Sequence, residues 1–548
     1  MATPWRQARG ERLLGLVPWI CLALVWFASV QVRPLLDPDE GRYAEIPREM
    51  LASGDWITPR LDGLKYLEKP PLQYWATSVA YALLGMSEWT ARLWTVGLAF
   101  PCLPMVYGWA ARMGGERAGL VAVVALAVSP LFVTVGHLGL LDAGFTFWLN
   151  ATVFAFTLAQ SSHSGSASER RWMLLAWAAA SMGVLTKGVV VAALCGASLV
   201  LYTLLERDMR PWRRLHVLPG LALFLGLTVP WFAAVSGRNP GFLEFFFVHE
   251  HLQRFLTTVH QHVEPWWYFL PLLVIGGVLP WLQPLARAAH QAWLAPGPTP
   301  QFKPLKFLLI FALVTLVFFS ASGSKLPPYI LPMLPPLAAI VGVHAAEQPS
   351  ILRGMARAGA LMVLIFGASV LIYALRTNSY IPEDTLIWAF VALAASAVPV
   401  VITWGKRPPE LGRSALVTAA AGALAWQAVL CEYAFTPPLR SARDLVVAAR
   451  PYIHPGTTLF NVGQYRETLS PYLQRTLILV GFKGELGYGI TLEPGKQTVS
   501  PADFAGLWRR ATDAVAFFDP KVWARYRSEG LPGRVVAADS YTVAVSRS

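Results

Sequence analysis

The sequence predicts a mostly α-helical, polytopic membrane protein: a bundle of about thirteen transmembrane helices with a small α/β domain at the C-terminus. Its 548 residues are 55% hydrophobic and only 14% charged. Apolar runs of roughly 17–25 residues recur along the chain, and a run of that length crosses a bilayer as a helix. From about Pro437 onward, short β-branched runs replace the long apolar ones. We therefore divide the chain into a transmembrane domain, 1–436, and a soluble domain, 437–548.

The first apolar run, 13–30, is preceded by three arginines and followed by charged residues rather than a small-residue cleavage site. This pattern predicts an uncut first span with the N-terminus in the cytoplasm, not a signal peptide. The segment Pro71–Met86 is also apolar, but counting it as a span would place every later basic loop outside. Because basic loops stay in the cytoplasm, we interpret Pro71–Met86 as an interfacial or re-entrant helix.

The remaining spans follow from the later apolar runs, and the odd total places the C-terminal domain outside the cytoplasm. They are predicted near 91–113, 117–136, 143–161, 172–186, 188–205, 217–235, 268–286, 307–321, 328–345, 358–375, 385–404 and 414–432.

The C-terminal segment has the pattern of a small α/β domain, with short β-branched runs between polar turns. Strands are predicted at Thr457–Val462, Thr476–Val480, Ala514–Phe518, Arg534–Ala538 and Tyr541–Val545, and helices at Ser441–Arg450 and Pro520–Ser528.

Charge and cysteine usage argue against two classes of function. The net charge is +13, but the basic residues are scattered through short loops, as in membrane proteins, and form no patch for nucleic acid. The four cysteines all lie in apolar runs, so the sequence predicts neither a disulfide framework nor a cysteine metal cluster.

The first outer loop, 31–90, carries the strongest functional signal. Acidic, basic and tyrosine side chains crowd its stretch from Arg33 to Trp75. A membrane protein has little structural reason for such a loop, which therefore predicts interfacial helices around a polar site at the membrane surface. Later outer loops add polar residues on the same side. The candidates are Asp39, Tyr43, Tyr66, Glu68, Lys69, Asp142, Lys187, His249, Arg254, Lys325 and Tyr329.

Several of these candidates also have a purely structural explanation. Asp39 and Asp142 could cap helices, since Asp is favoured at helix starts. Lys187, between two apolar spans, could simply extend its ammonium to the membrane surface. His249 could be an ordinary surface histidine. The functional interpretation rests on their convergence on one side of the membrane.

The residue types suit glycosyl transfer from a lipid-phosphate sugar. This chemistry needs a carboxylate near the developing positive charge and cations for the departing phosphate. Asp39 could supply the carboxylate, and Lys69, Lys187 or Arg254 the cations. A site outside the cytoplasm has no nucleotide sugars, and a monophosphate can be held by Lys and Arg without a divalent metal. We therefore expect no required cofactor.

Four motifs together resemble the GT-C glycosyltransferases of the protein mannosyltransferase type. They are the Asp39-Glu40 pair in a long first outer loop, Asp142 at the next outer turn, Leu-Thr-Lys-Gly at 185–188, and Lys-Leu-Pro-Pro-Tyr-Ile-Leu-Pro at 325–332. More narrowly, DEGRYAEIPREM, GDWITPRLDGLKYLEKPPLQYW and the segment 249–267 resemble the transferases that attach 4-amino-4-deoxy-L-arabinose to lipid A. The resemblance covers essentially the whole chain.

This resemblance implies transfer of aminoarabinose from undecaprenyl phosphate to a lipid A phosphate, with inversion, at the periplasmic face of the bacterial inner membrane. It also implies resistance to polymyxin and other cationic peptides. Carried onto this sequence, it implies roles for the candidates. Asp39, Glu68, Lys69 and Asp142 are expected to be catalytic; Tyr43, Tyr66, Lys187, Arg254, Lys325 and Tyr329 are expected to bind substrate; Glu68 and His249 are expected to meet, where they could hold a zinc ion that the reaction does not require.

Two other functions are considered. One is a protein O-glycosyltransferase that uses polyprenyl-phosphate mannose, which labelling of a peptide instead of lipid A would identify. The other is a lipid transporter or flippase. Transporters usually show repeated halves and charged or broken helices at mid-membrane, and the sequence shows neither.

Overall fold

The computed structural model describes residues 4–257, 263–295, 302–348, 350–378, 380–404 and 411–547. Within these ranges it confirms a mostly helical membrane bundle with a small α/β unit after it. Nine described helices are long and apolar enough to cross a membrane, and a helix pair bent by 67° supplies a tenth candidate. The three other predicted spans coincide with helices that are shorter or more polar, so the total of thirteen crossings stays a prediction.

The helices before the long outer loop 239–267 form the first half of the bundle, and several of them pack against helices of the second half. They are α1 Pro4–Phe27, α2 Asp39–Ser53, α3 Leu72–Leu84, α4 Glu88–Ala99, α5 Cys102–Gly114, α6 Glu116–Ala127, α7 Pro130–His137, α8 Leu141–Ser161, α9 Ala167–Lys187, α10 Val190–Glu206, α11 Arg210–Arg213 and α12 Val217–Arg238.

A π-helix, Glu244–Gln253, follows and leads into the second half of the bundle, which contains another π-helix, Leu272–Val278, and 3₁₀ turns at Leu279–Trp281 and Pro327–Met333. The helices of this half are α13 Arg254–Leu256, α14 Phe269–Pro271, α15 Leu282–Leu294, α16 Pro304–Ala321, α17 Leu334–Ala345, α18 Ile351–Asn378, α19 Glu383–Ile402 and α20 Leu411–Ala434.

The first outer loop contains α2, α3 and a hairpin of β1 Arg60–Leu61 and β2 Leu64–Lys65. At 13 residues, α3 spans about 20 Å, too short for the hydrocarbon core, which agrees with the interpretation of Pro71–Met86. Its polar face is buried against α2, where Ser78 Oγ donates to the carbonyl of Pro47 at 3.1 Å. Leu83 and Leu84 at its end are exposed.

The C-terminal unit is built around a six-stranded mixed sheet with the strand order β5-β4-β3-β6-β8-β7. The five predicted strands are confirmed, whereas the two-residue β5 was not predicted. The strands are β3 Thr458–Val462, β4 Ile478–Val480, β5 Thr498–Val499, β6 Ala514–Phe518, β7 Arg534–Ala538 and β8 Val543–Ser546. The helices are α21 Arg443–Ala449, α22 Leu469–Leu473, α23 Gly487–Leu492, α24 Pro501–Arg510 and α25 Pro520–Ser528, with 3₁₀ turns at Arg450–Tyr452 and Gly484–Leu486.

The α/β unit docks on the first outer loop through two carboxylates, the partly buried Asp37 and the fully buried Asp62. Asp37 accepts hydrogen bonds from the Thr468 amide at 2.8 Å and from Arg466 Nε at 3.1 Å. Asp62 accepts from the Leu477 amide at 2.9 Å and from Ser470 Oγ at 2.8 Å. Because these amides lie in the α/β unit, the two parts of the chain satisfy each other's buried polar groups.

A buried charge cluster fixes α2 against the membrane helices. The Glu40 carboxylate accepts from Arg33 NH1 at 2.6 Å and from Arg92 Nε at 2.7 Å, and it also accepts from the backbone amide of Gly139 at 2.8 Å. All three side chains are at most 2% exposed. Burial alone would raise the pKa of Glu40, but the two guanidinium groups outweigh it and hold the pKa well below its usual range.

Candidate active site

Two cavities adjoin at the outer face of the bundle, and the carboxylate of Glu250 lines both. The acidic cavity, about 800 Å³, lies between the π-helix and the α/β unit. The cationic cavity, about 330 Å³, lies over α10 and α16. The acidic cavity is lined by Glu68, Gly241, Glu244, Phe245, Val248, His249, Glu250, Gln253, Gly484, Glu485, Gly487, Tyr488 and Thr491.

The cationic cavity combines three positive side chains with an apolar wall. Lys69, Lys187 and Arg254 supply the charge, and Tyr329 lies among them. The wall is formed by Val189, Val190, Ala193, Phe247, Leu252, Phe255, Phe318 and Phe319. An anionic group with a long hydrocarbon tail matches both surfaces at once.

Glu68 and Lys69 lie at the boundary between the cavities, since Glu68 lines the acidic cavity and Lys69 lines the cationic cavity. Lys69 Nζ is 3.5 Å from Glu250 Oε2 and 3.8 Å from Glu68 Oε2. The Tyr66 hydroxyl donates to Glu68 Oε2 at 3.1 Å. Burial, followed by the neighbouring Glu250 carboxylate, raises the pKa of Glu68 to about 7. This carboxyl therefore changes charge near neutral pH.

The π-helix brings Glu250 under Arg254 and beside His249. Arg254 NH1 lies 3.1 Å from Glu250 Oε2, and Arg254 NH2 donates to the Tyr329 hydroxyl at 3.3 Å. His249 Nδ1 is 3.1 Å from Glu250 Oε1. The buried carboxylate of Glu250 thus contacts Arg254 of the cationic cavity and His249 of the acidic cavity.

Asp142 and Lys187 form a direct ion pair between the start of α8 and the end of α9. The Lys187 ammonium also lies 4.6 Å from the ring centroid of Tyr329 and 5.3 Å from that of Phe145. The N-cap residue of α8 is Leu140, so Asp142 lies within the first turn and does not occupy the cap position. Asp142 therefore binds Lys187 instead of capping α8, and Lys187 binds Asp142 instead of extending its ammonium to the membrane surface.

Asp39 is the first residue of α2, and the N-cap position before it is occupied by Pro38. Its side chain is 41% exposed, and Oδ1 is 3.3 Å from Arg42 NH1. Arg42 also reaches Glu485 Oε2 at 2.6 Å, and Glu485 lines the acidic cavity. Asp142 and Lys69 are among the charges that act on Asp39. Asp39 therefore lies close to the site but is not among the residues that line either cavity.

Three predicted substrate ligands occupy other environments. Tyr43 and Tyr66, 8% and 1% exposed, pack in the core of the first loop and do not line the two cavities. Tyr66 reaches the site only through Glu68. Lys325 donates to the carbonyls of Ser322 at 2.7 Å and Glu264 at 2.9 Å, so its ammonium ties two loop segments together.

Comparison with known proteins agrees with this architecture. A family model described as dolichyl-phosphate-mannose-protein mannosyltransferase matches residues 13–249, and one for the aminoarabinose transferase C-terminal domain matches 445–547. The crystal structure of ArnT from Cupriavidus metallidurans bound to undecaprenyl phosphate aligns with a TM-score of 0.87 at 34% identity, covering 99% of this chain and 98% of that chain.

The undecaprenyl phosphate-alpha-4-amino-4-deoxy-L-arabinose arabinosyl transferase of Pseudomonas aeruginosa strain UCBPP-PA14 is 32% identical, with 94% of each chain aligned. The corresponding protein of strain PAO1 gives the same identity and coverage. This chain belongs to the ArnT family. Membership confirms the predicted resemblance and makes the chain a multi-pass membrane glycosyltransferase.

The predicted metal pair of this ArnT family member, Glu68 and His249, stays a prediction. Glu68 and His249 both line the acidic cavity, but His249 Nδ1 faces Glu250. A zinc site needs three or four protein ligands, and no described third ligand joins this pair within 4.8 Å. Among the described residues, the three-carboxylate group that meets this spacing lies elsewhere, at Glu45, Glu49 and Asp62.

Two acids of this ArnT family site, Glu250 and Glu485, have no role assigned from the sequence, although Glu250 stands among the polar residues of an outer loop. Glu250, which borders both cavities, stands between two histidines in an otherwise aromatic segment. Glu485 lies in the α/β unit, far from the other candidates in sequence, and nothing local indicates that it returns to the first loop. The i,i+4 spacing of Glu250 and Arg254 is the one signal that pointed to an ion pair.

Proposed function

We propose that the chain transfers 4-amino-4-deoxy-L-arabinose from undecaprenyl phosphate to a phosphate of lipid A, at the periplasmic face of the inner membrane. The observation that carries the proposal is the pair of adjoining cavities, one cationic with an apolar wall and one acidic, which share Glu250. The relatives' names and the undecaprenyl phosphate in the related crystal structure support this donor.

The cationic cavity holds the donor phosphate in this proposal. Lys69, Lys187 and Arg254 neutralise the phosphate, and the polyprenyl chain lies along the apolar wall toward the membrane. When the bond between the anomeric carbon and the phosphate oxygen breaks, the electron pair moves to that oxygen and raises its negative charge. Preorganised cations stabilise such developing charge more than they stabilise the ground state.

The acceptor oxygen attacks the anomeric carbon from the face opposite the leaving phosphate, so the configuration inverts. A lipid A phosphate is already anionic and needs no general base. Asp39 and Asp142 therefore act on charge and position: Asp142 holds Lys187, and Asp39 orients Arg42 beside the acidic cavity. Both carboxylates also favour the positive charge that develops on the sugar ring.

The acidic cavity selects the amino sugar. A 4-ammonium group forms charge-assisted hydrogen bonds with Glu68, Glu250 or Glu485, and each of these lines the cavity. A 4-hydroxyl in its place leaves a partly desolvated carboxylate poorly paired, which costs more than losing a neutral contact. We expect the amino donor to be preferred by about tenfold or more.

No metal ion is needed in this scheme. Glu68 and His249 supply two donors, which suits loose occupancy by zinc and not a closed catalytic site. We expect transfer to continue in EDTA at a temperature well below unfolding. Loss of turnover in EDTA that a stated divalent ion restores would contradict this part of the proposal.

The deciding experiment is transfer from synthetic polyprenyl-phosphate donors to purified lipid A, followed by mass spectrometry. Lys69→Ala should lower transfer by about 10²-fold or more. Lys496→Ala, which changes an exposed lysine paired with Glu493, should leave transfer unchanged. Equal rates with the 4-amino and 4-hydroxy donors would refute amino recognition.

Labelling of a Ser/Thr peptide instead of lipid A would establish the protein-glycosylation alternative, and movement of donor across a vesicle membrane without transfer would establish a flippase. In cells, production of the chain should add aminoarabinose to lipid A and raise polymyxin resistance, because the added ammonium lowers the negative charge of the outer surface.

A further inference from the structure

Three buried carboxylates meet where the first outer loop joins the α/β unit, away from the two cavities. Glu45 and Glu49 lie one turn apart on α2, and Asp62 lies in the hairpin turn between β1 and β2. Each offers an oxygen within 4.8 Å of the others. Glu45 and Asp62 are 0% exposed, and Glu49 is 7% exposed. Water therefore provides little of the screening that would let three such charges coexist.

The protein's own groups satisfy this cluster incompletely. Arg48 binds both oxygens of Glu45, at 2.5 and 2.7 Å. Glu49 Oε2 accepts from the Gly63 amide at 2.9 Å, and Asp62 Oδ1 is held by the α/β unit. Glu49 Oε1 and Asp62 Oδ2 are buried and accept no hydrogen bond. With one guanidinium against three carboxylates, two negative charges are left unbalanced when all three are ionised.

Two unpartnered oxygens on two nine-tenths-buried side chains are the feature that points to a ligand. The hydroxyl of Tyr465, from the α/β unit, lies near Asp62 and adds a neutral oxygen to the group. The donor set is entirely oxygen, which hard cations prefer and zinc or copper do not. Calcium accepts irregular shells of oxygen ligands, whereas magnesium demands near-ideal octahedral geometry and gives up its waters reluctantly, so a buried group of three carboxylates favours calcium.

We propose that Glu45, Glu49 and Asp62 bind a divalent cation, with calcium preferred over magnesium, which ties α2 to the α/β unit. The cation balances the two uncompensated charges and supplies a partner for Glu49 Oε1 and Asp62 Oδ2. Because Asp62 is bonded to Ser470 and Leu477, the ion connects the helix that begins with Asp39 to the domain that covers it. This role is structural and does not depend on the proposed transfer reaction.

The test uses the full-length protein in detergent, stripped with EDTA and returned to metal-free buffer. Calcium binding is measured by calorimetry, and the unfolding temperature is followed by tryptophan fluorescence with added calcium or magnesium. We expect saturable binding with Kd on the order of 10⁻⁴–10⁻³ M and a rise in the unfolding temperature that saturates over the same range. Magnesium should bind more weakly.

Glu49→Gln keeps the volume of the side chain and should weaken calcium binding at least tenfold, and Asp62→Asn should do the same if it folds. Asp444→Asn changes an exposed acid of the α/β unit and should bind like the wild type. Absence of saturable binding in the wild type would overturn the proposal. Wild-type affinity in Glu49→Gln would also overturn it. So would a Glu49→Gln protein that is stabilised while the wild type ignores calcium, since the carboxyls would then share protons instead of a cation.

Discussion

Replacing Glu40 with Gln tests the charge cluster that positions the first outer loop. The substitution keeps the shape but leaves the guanidinium groups of Arg33 and Arg92 buried without a counter-charge, and it turns an amide NH₂ toward their donors. Breaking a buried ion pair from one side costs about 3–5 kcal/mol. Because Glu40 pairs with two arginines that are at most 2% exposed, we expect a loss in the upper part of that range.

The assay is equilibrium unfolding of the detergent-solubilised protein by SDS, followed by tryptophan fluorescence and circular dichroism. Asp39→Asn, one residue away on the same helix, is the matched control. Its ion pair with Arg42 is 41% exposed on the Asp39 side, so its loss should stay within about 1 kcal/mol. If Glu40→Gln is destabilised by no more than Asp39→Asn, the reasoning about the buried cluster is wrong. Because the pKa of Glu40 is lowered from 4.5, its contribution should be fully present above about pH 4.5 and be lost progressively as the pH falls from there through the lowered pKa.

Three further predictions concern the site and the topology. Asp39→Asn and Lys69→Ala should each lower transfer by about 10²-fold or more while the protein stays folded and inserted, because each side chain acts on charge that develops during the reaction. Near-normal transfer by Asp39→Asn would mean that the charge of Asp39 is dispensable. The transfer rate should rise as the pH passes about 7, because Glu68 loses its proton there, and a Glu68→Gln variant should lack this rise. Because the pKa of Glu68 in the folded protein is raised above 4.5, its contribution to the free energy of unfolding should fall as the pH rises from 4.5 to about 7. A cysteine placed at Asp444, whose side chain is 63% exposed, should react with an impermeant thiol reagent in intact spheroplasts. Labelling only after lysis would contradict the predicted orientation of the C-terminal domain. The nearby Ser441 is only 5% exposed and is too buried for thiol labelling.

The sequence predicted best what depends on local pattern. The helices of the bundle follow from apolar runs of membrane length, and the strands β3, β4, β6, β7 and β8 follow from short β-branched runs. The two-residue strand β5 has no pattern of its own, since it exists only because Leu479 and Val480 offer a free edge. Local pattern likewise predicted Glu68 and Lys69 as site residues, because the loop around them carries more charge than a structural loop needs, and both line the cavities at the outer face.

What the sequence could not separate is the fate of neighbouring acids. Asp37, Asp39 and Glu40 occupy one short motif, yet the first binds the α/β unit, the second lies by the site and the third is buried in the core. Their partners, such as Arg92 and Arg466, come from distant parts of the chain. Tyr43 and Tyr66 are buried for the same reason. Which face of a loop is covered depends on the distant parts of the chain that pack over it, and the local sequence does not indicate them.

The architecture of the chain changes near residue 437, but the α/β unit that follows does not stand apart from the bundle, because it docks on the first outer loop. Removing the chain beyond it would strip Asp37 and Asp62 of their amide donors and expose the apolar surface of Leu61 and Leu64. Gly41 shows how close the fit is, since a Cβ there would lie 2.4 Å from the backbone of Glu467. An exchange of this unit between relatives should therefore succeed only when the first loop travels with it.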